Sequence, residues 1–436
     1  MTPPALALSE AAAALCLLLI FLVPLTLAGL SLIHNGLGRS RSAAHAMLAS
    51  LCVVSVGAIV YLVCGFSWEG FAGQPAHIFT VAGKNWNWIA AEPFFLRGVE
   101  LDGGPASLAA LLQLFCVGLA AVIPLSAAAD RWRLGAACAS SALLAGLTYP
   151  LFAHWSWGGG WLAQLGVNFG LGHGFVDSGG AGSIQVVGGL TALSLVWILG
   201  PRRGKYSSDG MPAAIPGHNI VFVLFGCLLT WVGWLGLNSA GAILFSHAEP
   251  GRVALIAINT TVSATAAFLV AVITTRLRFG RVDASLGANG WVGGLVASSA
   301  ACAFLKPAAA LMTGLIAGAL VTFAIDCFEF WLAVDDPGGA ISVHAVAGIW
   351  GLLAGGVLAT LPGGNAGAGQ CLAQVVGVAT LIGFVLPMTY LLNWLLNRFY
   401  PQRVHVDGER QGMDLHELGG MAYPEFVVHS EEFTPK

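Results

Sequence analysis

The chain reads as an all-α polytopic membrane protein: eleven transmembrane helices, arranged as two inverted five-helix repeats and one further C-terminal helix. Three observations predict this. Of 436 residues, 57% are hydrophobic and only 9% charged, where a soluble domain carries roughly 25% charged residues. Apolar runs long enough to span a bilayer recur along almost the whole chain. And one short sequence occurs twice, about a hundred and sixty residues apart: Asp177-Ser-Gly-Gly-Ala-Gly-Ser-Ile-Gln185-Val-Val-Gly-Gly189 and Asp336-Pro-Gly-Gly-Ala-Ile-Ser-Val-His344-Ala-Val-Ala-Gly348. Both copies fit D-x-G-G-A-x-x-x-[Q/H]-x-V-x-G.

The spans are expected near 11–33, 45–66, 105–126, 134–154, 181–200, 219–238, 253–275, 284–304, 308–328, 341–360 and 371–397. The first is too long for the apolar stretch of a signal peptide and has no Lys or Arg before Arg39, so it is read as a helix that stays. Fifty-eight glycines suit helices that pack closely inside a membrane. The nine cysteines sit mostly in apolar runs and behave as small hydrophobes rather than as a disulfide or metal framework.

Eleven spans place the two chain ends on opposite sides. The basic residues then divide unevenly. Fourteen fall on one side, and only Lys84, Arg97, Arg252 and Lys306 on the other. By the positive-inside rule the C-terminus is cytoplasmic and the N-terminus external, in a plasma or inner membrane. The membrane domain covers 1–397, with repeat one at about 11–200, repeat two at about 219–360 and the eleventh helix at about 371–397. The tail, 398–436, is the only polar and charged region. Its Asp407-Gly, Gly412-Met-Asp414 and Gly419-Gly420 suggest turns rather than one helix, in an ordered appendage or a loose end. The external loop, about 67–104, holds Trp68, Trp86, Trp88, Phe94 and Phe95, fit for an interface belt or for a lid over a vestibule.

The repeated sequence falls in or just before the fifth and tenth spans. Five helices per half means that the second half enters from the opposite side, so the two copies meet near the midplane of an inverted repeat. In each copy eight residues, or about 12 Å of helix, separate the carboxylate from Gln185 or His344. A polar side chain that deep is costly unless it meets a partner or lines a path. Gln185 and His344 are therefore expected to face each other in one pore. Asp177 and Asp336 suit helix N-caps, and Asp177 also suits an anion beside a cation entrance. His154-Trp-Ser-Trp157-Gly-Gly-Gly160-Trp161 offers π faces to a cation or anchors the interface. Asn238, ending the sixth span, supports the site.

Several functions are excluded. No span carries a central Lys for a retinal Schiff base, no Walker motif supplies ATP, no arginine-rich helix senses voltage, and the K⁺-filter sequence is missing. No nucleophile–base pair, metal cluster or cofactor motif points to an enzyme, and nothing points to nucleic acid.

These motifs together resemble the ammonium transporter family, whose wider superfamily includes the Rhesus proteins. The resemblance runs through Ala129-Asp-Arg-Trp-Arg-Leu134, His154 to Trp161, Asp177 to Gly189, Gly233-Trp-Leu-Gly-Leu-Asn238, Ser285-Leu-Gly-Ala288, Val334-Asp-Asp-Pro337 to Gly351, Gly412-Met-Asp-Leu-His416 and Ala422-Tyr423. It implies the ammonium transporter fold, a homotrimer with one hydrophobic pore per subunit, and a PII-type regulator as a cytoplasmic partner. It assigns Asp177 and Trp157 to ammonium recruitment and His344 to the second pore histidine. Three positions depart from it. Gln185 replaces the first pore histidine, Leu237 stands where the inner gate has phenylalanine, and Gly241 where the recruitment site has serine. The other gate phenylalanine falls at Phe115 or Cys116. Glutamine offers an NH₂ and a C=O but does not titrate, so transport is expected to be slower or less electrogenic than with two histidines. An ammonium sensor that binds without conducting, and a channel for a small neutral solute such as CO₂, methylamine or water, are the alternatives.

Overall fold

The computed structural model describes residues 7–362, 364–365 and 367–423. Lys436, counted in the charge split, and the last part of the tail lie outside the described residues. Ten helices among those described are long and apolar enough to cross a membrane. They are α1 (Glu10–Leu37), α2 (Ser40–Glu69), α3 (Pro105–Ala127), α4 (Leu134–Ser156), α5 (Ala181–Leu199), α6 (Ile220–Phe245), α7 (Pro250–Phe279), α9 (Pro307–Trp331), α10 (Ile341–Leu358) and α11 (Ala368–Phe399). The protein is a multi-pass membrane protein. Between α7 and α9 runs α8, Ala284–Ser299, with sixteen residues. Its length, about 24 Å, falls short of the roughly 30 Å of a hydrocarbon core. The stretch 300–304 expected to extend it turns away instead, and Asn259 on α7 donates to the carbonyls of Cys302 and Leu305 there.

The helices approach closely because small residues sit where they cross. On α1 and α6, Gly29 faces Gly226; a Cβ on either would come within 2.6 Å of the other's carbonyl oxygen. Serine and threonine hydroxyls inside the helices bond back to their own helix, as Ser31 does to Leu27 O and Thr191 to Val187 O, so these polar groups cost little in an apolar setting.

The 67–104 connection holds a feature that an all-α reading missed. Ala76–Val81 (β1) and Lys84–Ala90 (β2) form an antiparallel hairpin. It lies against the segment following α4. Trp155 donates to Trp88 O, Asn87 N–H to Gln164 Oε1, and Asn87 Nδ2 to Gly159 O. Trp88 packs near Trp155 and Trp161. This end of the molecule is called the hairpin face, and the opposite end the tail face.

At the tail face, three distant motifs share one buried ionic cluster. Arg202 grips Asp335 through its Nε and one terminal nitrogen, each at 2.9 Å, and its other terminal nitrogen donates to Asp130 at 3.2 Å. Arg131 donates to the main-chain oxygens of Asp335 and Gly200. Burial pushes the Asp335 carboxyl up, but the hydrogen bonds from Arg202 and the charge of Arg131 outweigh it and hold it below the usual carboxylate range. Onto this platform the tail docks in order. After the short helix α12 (Val406–Gln411), the Asp414 carboxylate accepts from the N–H groups of Ala44 and His45, near the start of α2. Glu417 accepts from Leu134 N–H and from the His45 ring, both at 2.9 Å. The described tail thus supplies carboxylates to the N-terminal ends of two membrane helices, where the helix field favours anions.

Candidate functional site

Each copy of the repeated sequence starts its helix with a π turn, Ala181–Val186 in α5 and Ile341–Val346 in α10. Such turns widen a helix locally and recur at functional sites. Glycines let the two segments touch. A Cβ on Gly189 would come within 2.5 Å of Ala345 N, and one on Gly348 within 2.6 Å of the Val186 side chain. These are one contact seen twice: under the correspondence of the two copies, Gly189 maps to Gly348 and Ala345 to Val186. The contact itself therefore carries the twofold relation between the halves.

At the crossing, Gln185 Oε1 and His344 Nδ1 lie 2.7 Å apart, both side chains buried. An amide oxygen only accepts, so His344 donates from Nδ1 and carries its lone pair on Nε2. Gln185 Nε2 is buried without a protein partner. The pair therefore offers an unused N–H donor and an imidazole lone pair.

At the hairpin face, Asp177 Oδ2 accepts from Gly182 N–H at 3.0 Å, Ser183 N–H at 2.8 Å and Ser183 Oγ at 2.9 Å. Burial pushes the Asp177 carboxyl up, to about 6, against the downward pull of those donors. Trp157 donates its indole N–H to the main-chain oxygen of Asp177 at 2.6 Å and stacks on Phe245 with centroids 4.4 Å apart. The glycines after Trp157 allow this fold-back: a Cβ on Gly160 would come within 2.6 Å of His154 O, and Gly159 has φ +77°. Asn238 donates to Thr260 Oγ1 at 2.9 Å and Ser298 Oγ at 3.2 Å. Its Oδ1 has no partner and faces Gly179, where any Cβ would strike it. Gly241 is likewise required by close approach, its α-carbon facing Ser178 O. At the tail-face end, Asp336 Oδ2 accepts from Ile341 N–H at 2.7 Å.

The predicted residues divide. Gln185 meets His344, and Trp157 meets Asp177. Leu237 is buried in α6 beside Asn238. Of the two candidates on α3, Phe115 is half-buried at the edge of the core. Cys116 is the fully buried one. The two differ in burial because one step along a helix rotates a side chain by about 100°.

Three groups escaped the sequence reading. Ser183 clamps Asp177, and its signal was present, since both copies carry serine at that place (Ser342). Glu69 is fully buried, accepting from Tyr61 at 2.8 Å and from Gln113, which in turn accepts from Tyr149; no local pattern links these four. His34 on α1 is buried with Nδ1 unpartnered; a lone histidine gave no signal.

Comparison with known proteins agrees with this architecture. The family model described as Ammonium Transporter Family matches residues 14–423. Ammonium transporter Amt2 of Archaeoglobus fulgidus is 34% identical over 434 residues, with 94% of this chain and 88% of that protein covered. The ammonium transporter of Bacillus subtilis is 29% identical over 423 residues, covering 94% and 96%. Among solved structures, one described as "Sensor Amt Protein" superposes with a TM-score of 0.83 at 26% identity, covering 93% of this chain and 97% of its own. Mep2 of Candida albicans gives 0.80 at 22% identity, covering 97% and 93%, a likeness of fold.

Proposed function

We propose, from the premise that this chain belongs to the ammonium transporter family, that it carries ammonium nitrogen across a membrane along a path between its two halves. Asp177 and Trp157 stand at the entrance and Gln185 and His344 inside. The tail face is cytoplasmic, the hairpin face external, and α8 completes eleven spans in two inverted five-helix units, about 11–200 and 219–360, with α11 outside them. A homotrimer and a PII-type regulator at the tail face are the partners the family suggests.

The observation that carries this reading is the 2.7 Å bond between Gln185 Oε1 and His344 Nδ1. It leaves Gln185 Nε2 free to donate and His344 Nε2 free to accept. Ammonia has one lone pair and three N–H groups, so it satisfies both at once. Ammonium has no lone pair and leaves the amide N–H unsatisfied, at a cost of about 1–3 kcal/mol for a buried polar group. The pair therefore selects the neutral form, and ammonium must lose its proton before or at this point. Glutamine binds but cannot carry that proton.

The test is ammonium flux into proteoliposomes, with and without a pH gradient, for the native protein and Gln185→His. Flux above that of empty vesicles is expected. Its absence in the native protein, with ammonium binding retained, would favour a second reading. That reading is supported by the likeness to "Sensor Amt Protein": the chain binds ammonium and reports occupancy through its tail.

A further inference from the structure

Away from the crossing, the tail face holds a cavity of about 860 Å³, a volume within the roughly 300–1,000 Å³ of small-molecule sites. Separate pieces of chain build it: Arg133 ahead of α4, Arg203 in the connection after α5, Arg403 and His405 after α11, and His416 farther along the tail. Main-chain bonds fix its frame. Arg133 N–H donates to Gln402 O at 3.0 Å, and Val404 N–H to Arg131 O at 2.9 Å. Arg403 is anchored to Leu199 O at 2.6 Å and Pro201 O at 2.9 Å. His416 packs on Gly408, where a Cβ would come within 2.5 Å of the ring. The charges that line this cavity are unequally paired. Both carboxylates are committed: Glu409 accepts from Arg203 N–H at 2.7 Å and from Arg403 at 2.8 Å, and Glu417 accepts from Leu134 N–H and the His45 ring. Two guanidinium groups are not. Arg203 is exposed, and among the described residues only its main-chain N–H is bonded. Arg133 gives one N–H to Pro401 O at 3.1 Å and lies over the Tyr400 ring at 4.7 Å, which leaves most of its fork open. The His405 ring has only the Asp407 carboxylate near it, at 3.5 Å.

We propose that this cavity binds a soluble phosphate-bearing anion, held by the open guanidinium groups of Arg133 and Arg203 with the His405 and His416 rings as further donors. A planar guanidinium fork matches two oxygens of a phosphate and bonds them with the help of charge, and an imidazole adds an N–H. The apolar part of the wall is Pro401, Val404 and Val406, too slight for an apolar occupant. Every lining residue lies outside the membrane-spanning helices, which favours a soluble phosphate over a lipid headgroup. Basic residues near helix ends are ordinary by the positive-inside rule. That rule asks for their number, not for their gathering in one hollow whose acids are already bonded to other groups. An anion here touches the membrane domain through Arg133 and Arg203 and the tail through His405 and His416, so it holds the tail against the ends of α4 and α5. The site is separate from the crossing and does not depend on the transport reading.

The test is calorimetric titration of the full-length chain in a neutral detergent with inorganic phosphate and with pyrophosphate, chloride keeping the ionic strength constant. One pyrophosphate per chain is expected to bind, and phosphate more weakly. Arg133→Ala and Arg203→Ala are each expected to lower the pyrophosphate affinity at least tenfold, and Arg203→Lys, which keeps the charge but not the fork, by less. Because the Arg203 guanidinium bonds nothing among the described residues, Arg203→Ala should unfold at the native temperature without the probe and lose only the probe's stabilisation, which separates binding from folding. Pyrophosphate should also slow limited proteolysis near residues 400–423 several-fold in the native protein and leave Arg203→Ala unchanged. Equal affinity in the native protein and Arg203→Ala overturns the proposal, as does binding that chloride abolishes at matched ionic strength. Failure of both soluble probes to bind overturns it too, and vesicles of phosphatidylglycerol that bind through Arg203 in their place would assign the cavity to a lipid headgroup instead.

Discussion

Asp177 and Asp336 use their carboxylates alike: Oδ2 of each accepts from an N–H at the start of the following helix, and Oδ1 of each is buried without a protein donor. Each is a helix cap with half its capacity left over. At the hairpin face the residue that holds this surplus takes the Trp157 N–H at its main-chain oxygen, and on the proposed reading the surplus serves an arriving cation; at the tail face it lies at the opposite end of the same crossing.

The surplus at Asp177 is useful only while the carboxyl is ionised. Burial pushes it up to about 6, so it is charged above that pH and neutral below it, whereas ammonium stays cationic throughout. Initial ammonium uptake by proteoliposomes is therefore expected to fall as external pH drops through about 6. Asp177→Asn is expected to lower uptake at least tenfold at pH 7 and to flatten this pH dependence. Uptake by the native protein that is level from pH 7.5 to 5 would remove Asp177 from recruitment.

Replacing Gln185 by histidine puts a second titratable ring at the crossing and is expected to raise the ammonium-evoked current several-fold. Replacing it by leucine strands the His344 Nδ1–H in an apolar setting. A buried donor left unmade costs about 1–3 kcal/mol, so Gln185→Leu is expected to lower the thermal unfolding midpoint in detergent as well as flux. A native current unaltered by Gln185→His would show that the glutamine does not limit charge movement.

Gly189 and Gly348 test the crossing itself. Either position changed to valine drives side-chain atoms into the backbone or side chain of the other half. Overpacking of this kind typically costs about 1–3 kcal/mol. Both variants are expected to lose stability by similar amounts, because they break equivalent contacts, and to lose flux by more than their stability loss explains. Unequal effects would argue against the twofold relation.

The tail contributes two caps, and each is expected to be worth about 1 kcal/mol. Asp414→Ala and Glu417→Ala should loosen the tail, detected as faster limited proteolysis near residues 400–423. Burial raises the Glu417 carboxyl, but His45, Leu134 N–H and Arg133 outweigh it and bring it below its ordinary value. A carboxyl depressed in the docked state stabilises docking above its ordinary pKa and loses that contribution as pH falls through the lowered one. Native tail protection should therefore hold at neutral pH and fade in acid below about pH 4.5, and Glu417→Gln should show a shallower fading.

Much of this architecture was legible because it has a short-range cause. Continuous apolar runs fixed most spans, and the spacing from Asp177 to Gln185 and from Asp336 to His344 was enough to pair the two polar side chains, since helical rise is the same everywhere. The hairpin at 76–90 was not legible: its order comes from Trp155, Gln164 and Gly159, which lie far along the chain. The end of α8 was misread because an apolar run continues past Ser299 while the backbone turns to meet Asn259. The choice between Phe115 and Cys116 stayed open in the sequence, because facing depends on a one-residue rotation. Glu69 is a single polar residue whose second partner, Gln113, comes from another helix, and no short window of sequence contains both sides of that contact.

The π turns at Ala181–Val186 and Ile341–Val346 have a consequence for how this chain tolerates change. Each amounts to one extra residue threaded into an ordinary helix. Deleting a single residue there, for example Ile184 or Val343, would relax the bulge and swing everything on one side of it by about 100°. Gln185 or His344 would then point into its own helix bundle while the overall topology survived. At these two places a one-residue gap should be more harmful than almost any exchange of side chain.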